Sequence, residues 1–131
     1  MAEHEMPQNG TFCWNELATK DWGAAKKFYT ELLGWQIQES NSAGMAYNEI
    51  VVGGKHIGGI YQMMPEQGDA PSQWMSYVAV DDVDAKAKLA AELGGKICVP
   101  PTDIPNVGRF CVITDPTGAT FSLVKLSGAS E

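Results

Sequence analysis

Cys13-Trp14-Asn15-Glu16-Leu17-Ala18-Thr19-Lys20-Asp21, running on into Ala24-Ala25-Lys26-Lys27-Phe28-Tyr29 and Leu32-Leu33-Gly34-Trp35, is a stretch that the chain writes twice. The second copy is Trp74-Met75-Ser76-Tyr77-Val78-Ala79-Val80-Asp81-Asp82, followed by Ala85-Lys86-Ala87-Lys88-Leu89-Ala90-Ala91 and Leu93-Gly94-Gly95. In both, a short apolar run meets an Asp, an alanine-rich segment follows, and Leu-Gly closes it. An Asp side chain satisfies free N–H groups in a helix's first turn, and glycine takes the left-handed backbone that ends one. The order is therefore strand, capped helix, return to strand. A half that recurs predicts two lobes with a cleft between them.

Working outward, Thr11 to Ala18 reads as a strand and Asp21 caps a helix running to Leu33. Ala24, Phe28, Leu32 and Ala25, Tyr29, Leu33 stand at the i, i+4 spacing of a buried stripe. Trp35 to Glu39 alternates polar and apolar as a half-buried strand does, Asn41 to Gly44 is a turn, and Ala46 to Val52 is the next strand. Gly53-Gly54 is a tight hairpin signal before a strand from Lys55 to Met63. In the second half, strands are expected at Gln73 to Val80, Lys96 to Val99, Arg109 to Thr114 and Ala119 to Lys125, with a helix over Val83 to Leu93. Pro100 to Asn106, with three prolines, reads as a stiff loop. Each half is then β-α-β-β-β. The expected boundaries are a flexible tail over 1–9, a first module over 10–64, a linker over 65–71, a second module over 72–126 and a tail over 127–131.

At 131 residues, with 44% hydrophobic and 19% charged side chains, the chain is sized for one globular domain. Nine Lys and Arg against sixteen Asp and Glu give a net charge of −7 and no basic stripe for a phosphate backbone. Nucleic acid is not an expected partner. No stretch reaches the length of a membrane span, and Met1 to Gly10 lacks the basic-then-apolar pattern of a signal peptide, so the expectation is a cytoplasmic protein with no membrane partner. Cys13, Cys98 and Cys111 are odd in number and lack C-x-x-C spacing, which argues against a disulfide framework and a structural zinc site. They read as buried free thiols.

These motifs resemble the vicinal oxygen chelate superfamily, which contains glyoxalase I, bleomycin-resistance proteins and extradiol dioxygenases. The residues that carry the resemblance are Asp21, Ala25, Phe28-Tyr29, Leu33-Gly34-Trp35, Val80-Asp81-Asp82-Val83-Asp84-Ala85, Leu93-Gly94-Gly95 and Asp115-Pro116-Thr117-Gly118-Ala119-Thr120-Phe121. Gly108-Arg109-Phe110 and Trp14-x-Glu16-Leu17 are similar to glyoxalase-like domains found in tandem in bacteria. The resemblance implies an α+β fold: two βαβββ modules forming a curled mixed sheet around a central cleft, with the helices outside. It also implies where a metal would be held, on the first and last strands of each half. Matching the helix-opening Asp of each copy puts Trp14 and Met75 at two of those positions, and the last strand puts Ser122 at a third. The strand from Lys55 to Met63 offers only His56 and Gln62. None of Trp14, Met75 and Ser122 is a ligand of the needed kind. No cofactor is expected, and a divalent metal would need a non-ancestral site such as His56 with Glu16 and Glu49.

Because strand side chains alternate faces, Glu16 shares the cleft side of its strand with Trp14. A carboxylate on a partly apolar wall can act as a general base or orient a polar ligand, so Glu16 is the candidate catalytic residue, set against a solvated or ion-paired role. Trp14, Glu16, Tyr47, His56, Tyr61, Met75, Tyr77, Arg109 and Ser122 form the expected ligand-binding set. Arg109 could clamp an anion or pair with one of the acidic residues. Trp35, Phe28 and Tyr29 are assigned to packing between helix and sheet, and Phe121 and Leu123 to the face opposite Ser122. The leading expectation is a metal-independent module, by guess a homodimer, that binds a small organic molecule in the inter-module cleft. Its rivals are a lyase or isomerase of a small carbonyl compound with Glu16 as base, and a regulatory subunit with an occluded cleft.

Overall fold

The computed structural model describes residues 7–40, 47–64, 70–104 and 107–126. The turn expected at Asn41 to Gly44, most of the 65–71 linker, Pro105-Asn106 and the 127–131 tail lie outside the described residues. The elements run β1 (Phe12–Thr19), α1 (Trp22–Leu33), β2 (Gln36–Ser40), β3 (Tyr47–Val52), β4 (Lys55–Gln62), β5 (Gln73–Ala79), α2 (Val83–Glu92), β6 (Lys96–Ile104), β7 (Gly108–Thr114) and β8 (Thr120–Leu126). This is an α+β chain of two βαβββ modules. Its compact units are Trp14–Met75 and, separately, the described residues on either side of that span.

In the first unit the strands lie in the order β2-β3-β4-β1, with β1 and β4 parallel and the other pairs antiparallel. Asp21 caps α1 by accepting from Ala24 N–H at 3.1 Å, and Gly34 ends it in the left-handed region at φ 72°. The Gly53-Gly54 hairpin forms as expected, both residues taking positive φ as a two-residue turn between twisted strands requires. Leu17, Ile50 and Ile60 form the core, covered by Trp22, Ala25, Tyr29, Trp35 and Ile37. The half-buried stripe of α1 is thus Trp22, Ala25 and Tyr29, and no residue of the helix is fully buried. Ala24, Phe28, Leu32 and Leu33 were expected inside, but all four are exposed, the last three at 57%, 62% and 51%. Helical spacing fits both stripes, and the choice is made by where the Trp22 and Tyr29 rings meet the sheet.

The second unit repeats the arrangement as β6-β7-β8-β5, with β5 and β8 parallel. Asp82 caps α2 by accepting from Ala85 N–H at 3.0 Å. The core is Val80, Val83, Ala87, Cys111, Ile113 and Leu123, with Val78, Ala90, Ile97 and Phe121 packed against it. Asp115 organises the β7–β8 turn, its Oδ1 accepting from Thr117 N–H and Oγ1–H and from Ala119 N–H. Residues 7–9 of the expected tail are described, and Asn9 Oδ1 accepts from Asp81 N–H at 3.0 Å.

Two expectations are corrected here. Pro100 to Ile104 is not loop but the continuation of β6. Proline lacks the ladder donor, yet β6 stands at the edge of its sheet and its register shifts between Ile97 and Val99 and between Val99 and Thr102, which are the places a strand tolerates it. Of the three thiols, only Cys111 is buried, and burial pushes its pKa up. Cys13 is half-buried and Cys98 exposed, its sulfur 3.1 Å from Thr114 Oγ1.

The two caps should be separable contributions. Asp21→Ala and Asp82→Ala should each lower the free energy of unfolding by about 1 kcal/mol in chemical denaturation, with the Asn replacements nearly neutral.

Candidate functional site

On β1, Leu17 points toward α1, so alternation sets Trp14 and Glu16 on the other face of the sheet. Glu16 stands opposite Gly59 across the parallel β1–β4 pair, and Glu49 stands opposite Gly59 on the antiparallel side. Tyr47 fills the space above this glycine: a Cβ on Gly59 would overlap the Tyr47 ring and hydroxyl. The missing side chain lets the phenol reach across β4. Its O–H donates to Glu16 Oε2 at 2.7 Å and its oxygen accepts from Trp14 Nε1–H at 3.0 Å. All three side chains are half-buried. Indole, phenol and the Glu16 carboxyl group form one directed chain, in which each hydrogen bond polarises the next.

The other expected residues divide between the two units. Tyr61, opposite Ala18 on β4, shares the Glu16 face by the same alternation and is half-buried. His56 Nδ1 pairs with Glu49 Oε1, beside the register shift between Ile50 and Val51. Met75 is half-buried in the first unit. In the second unit, Ser122 sits between Tyr77 on β5 and Val112 on β7. Its hydroxyl is fully buried and has no hydrogen-bond partner among the described residues. Phe121 and Leu123 belong to the helix-side core, as expected for its neighbours.

Arg109 is held by two carboxylates. Nε and Nη2 donate to Asp84 at 2.8 and 2.9 Å, and Nη1 donates to Asp103 at 2.9 Å. The Arg109 guanidinium holds the Asp84 carboxyl below its usual range, and the two carboxylates make Arg109 still harder to deprotonate. An anionic ligand would have to displace both acids.

The Glu16, Glu49 and His56 combination does not close into a metal site. Among the described residues no three His, Cys, Asp or Glu side chains are gathered as a metal ion needs. With Trp14, Met75 and Ser122 at the positions the resemblance gives to ligands, the residues present do not fit a divalent metal in that geometry. Sequence reasoning does not single out Gly59. The signal was there, since glycine inside a strand marks a close approach by another group.

The fold and this face define a small α+β module of paired βαβββ repeats. Residues 12–123 match the Glyoxalase/Bleomycin resistance protein/Dioxygenase superfamily, and the chain belongs to it. It is 41% identical over 119 residues to the protein named "Putative glyoxylase CFP32" of Mycobacterium tuberculosis, covering 90% of this chain and 45% of that one. It is 30% identical over 127 residues to the anthracycline biosynthesis protein DnrV of Streptomyces peucetius, covering 87% of this chain and 46% of that one. The chain thus spans about half the length of these relatives. Among solved structures, methylmalonyl-CoA epimerase from Mycobacterium tuberculosis superposes with a TM-score of 0.64 at 17% identity, over 97% of this chain and 96% of that one. The Mn(II)-bound glyoxalase from Novosphingobium aromaticivorans gives 0.61 at 18% identity, over 92% and 40%. These two likenesses show the fold.

Gly59→Ala should force Tyr47 off Glu16, lowering stability by about 1–3 kcal/mol through overpacking and moving the Trp14 indole N–H resonance. Tyr47→Phe should move the same resonance with a smaller loss of stability. For Arg109, the lowered Asp84 pKa means that the pair stabilises fully above the unfolded carboxylate value, about 4, and is lost as pH falls through the folded one. Arg109→Met should therefore flatten the acid side of the stability–pH curve, read by denaturant midpoints from pH 6 to pH 2.

Proposed function

We propose that this chain is a glyoxalase-like binding module that takes a small organic molecule on the sheet face bearing Trp14, Glu16, Tyr47 and Tyr61, without a metal. The observation that carries the reading is the chain from Trp14 through Tyr47 to Glu16, with Gly59 left bare beneath it. The Trp14 ring held by Tyr47, and Tyr47 by the Glu16 carboxylate, form a preorganised wall, so little side-chain freedom is left to lose on binding. Flat faces and a fixed carboxylate suit an aromatic or carbonyl-bearing ligand with a hydrogen-bond donor. His56 and Met75, in the same unit, complete the proposed set. Cytoplasmic residence is supported by three unpaired cysteines, and a homodimer by the frequency of twofold assemblies.

A second reading is favoured by the phenol O–H that Tyr47 gives to Glu16: a lyase or isomerase of a small carbonyl compound. Glu16 would take a proton from carbon next to the carbonyl and return it, while Tyr47 holds the carboxylate in place. The name of one relative, a putative glyoxylase, supports this chemistry.

A thermal-shift screen of aromatic natural products, carbonyl metabolites and acyl-CoA thioesters, run with and without Mn²⁺, Ni²⁺ and Zn²⁺, tests both readings. A ligand at a hundredfold excess over its Kd adds about 2.7 kcal/mol and should raise the unfolding midpoint by several degrees without metal. Glu16→Gln should abolish that rise for the ligand found, and should remove turnover if the ligand is consumed. Stoichiometric metal in protein purified without chelators, or a ligand response that needs metal, would overturn the metal-independent reading.

A further inference from the structure

On the opposite face of the first unit's sheet, beyond the end of α1, a recess of about 330 Å³ is lined by Asn15, Trp35, Ile50, Ile57, Gly58 and Trp74. Asn15 neighbours Glu16 on β1 and so points to the other side of the sheet, as does Ile50, which belongs to the helix-side core. This recess is therefore separate from the Glu16 face. Its walls are two tryptophans whose rings lie 6.1 Å apart at 86°, with Trp35 stacked on Tyr29 at 5.3 Å. Trp74 is also tied down, its Nε1–H donating to Tyr29 hydroxyl at 3.3 Å. Gly58 contributes no side chain, and a Cβ there would overlap the Asn15 carbonyl oxygen, so the floor is held as bare backbone. Trp74 and Ile57 are each 42% exposed and stand at the mouth.

We infer that this recess is a second small-molecule site, for a flat, uncharged aromatic or heteroaromatic compound of one or two rings. Its volume lies at the small end of ligand pockets, too little for a nucleotide or a thioester tail. Perpendicular indoles offer one face for stacking and one edge, the two arrangements that aromatic pairs prefer. None of the six lining residues is charged, so an ionised ligand would surrender hydration without compensation. Both tryptophans are fixed by Tyr29 before any ligand arrives, so the site is preformed.

The test is a titration of the ¹⁵N-labelled full chain with quinolin-2-one, an uncharged bicyclic lactam, followed on the four indole N–H resonances. Saturable shifts of Trp35 and Trp74, with Trp14 unmoved, are expected. Ile57→Trp, which fills the mouth from an exposed position, and Trp74→Ala, which removes one wall, should each weaken binding at least tenfold while the rest of the spectrum keeps its folded dispersion. Absence of a saturable shift at Trp35 and Trp74, or parent-like affinity in both variants, would overturn the inference. So would a shift confined to Trp14, an outcome that would support the Glu16 face instead and keeps the two sites distinguishable.

Discussion

The first unit depends on how closely β1 and β4 approach at Gly58-Gly59. A side chain at Gly58 would collide with the backbone carbonyl of Asn15 on the neighbouring strand, and one at Gly59 with the Tyr47 ring above the sheet. Because both are glycine, the parallel pair closes in register from Asn15 against Gly58 to Thr19 against Gln62. That register puts Leu17 beside Ile60 in the core and Glu16 within reach of the Tyr47 hydroxyl. Two bare residues thus set the core, the hydrogen-bonded trio on one face and the recess on the other.

The two modules share an order of elements and differ in what their strands present. The first has a core of three buried residues extended by aromatic rings, and an organised polar chain on the far face. The second has six buried aliphatic or thiol residues, a guanidinium tied to two acids, and a hydroxyl sealed away at Ser122. The second reads as the more self-contained of the two, and the first as the one that presents chemistry.

Much of this was legible in the residues. The two Asp caps, Gly34, the Gly53-Gly54 hairpin and the repeated βαβββ order all follow from local rules, because a cap or a turn needs only its immediate neighbours. Alternation correctly separated Leu17 from Trp14 and Glu16. What local rules could not reach was set by tertiary placement. Helical spacing alone put Ala24, Phe28, Leu32 and Leu33 in the stripe with Ala25 and Tyr29 and left out Trp22, prolines could not announce that β6 would lie at an edge, and Gly59 could not say which ring would cover it. The Arg109 partners Asp84 and Asp103 come from α2 and β6, a pairing visible only once the strands are laid side by side.

An unpaired row of N–H and C=O groups at the margin of a sheet is an invitation to further strands, and proteins that stay dispersed at high concentration need some way to refuse it. Here the refusal is written into β6. Pro100 and Pro101 delete two successive donors, and the shifts of register around them break the even spacing that another strand would have to match. The same residues that blurred the strand in the sequence make it a poor template for aggregation.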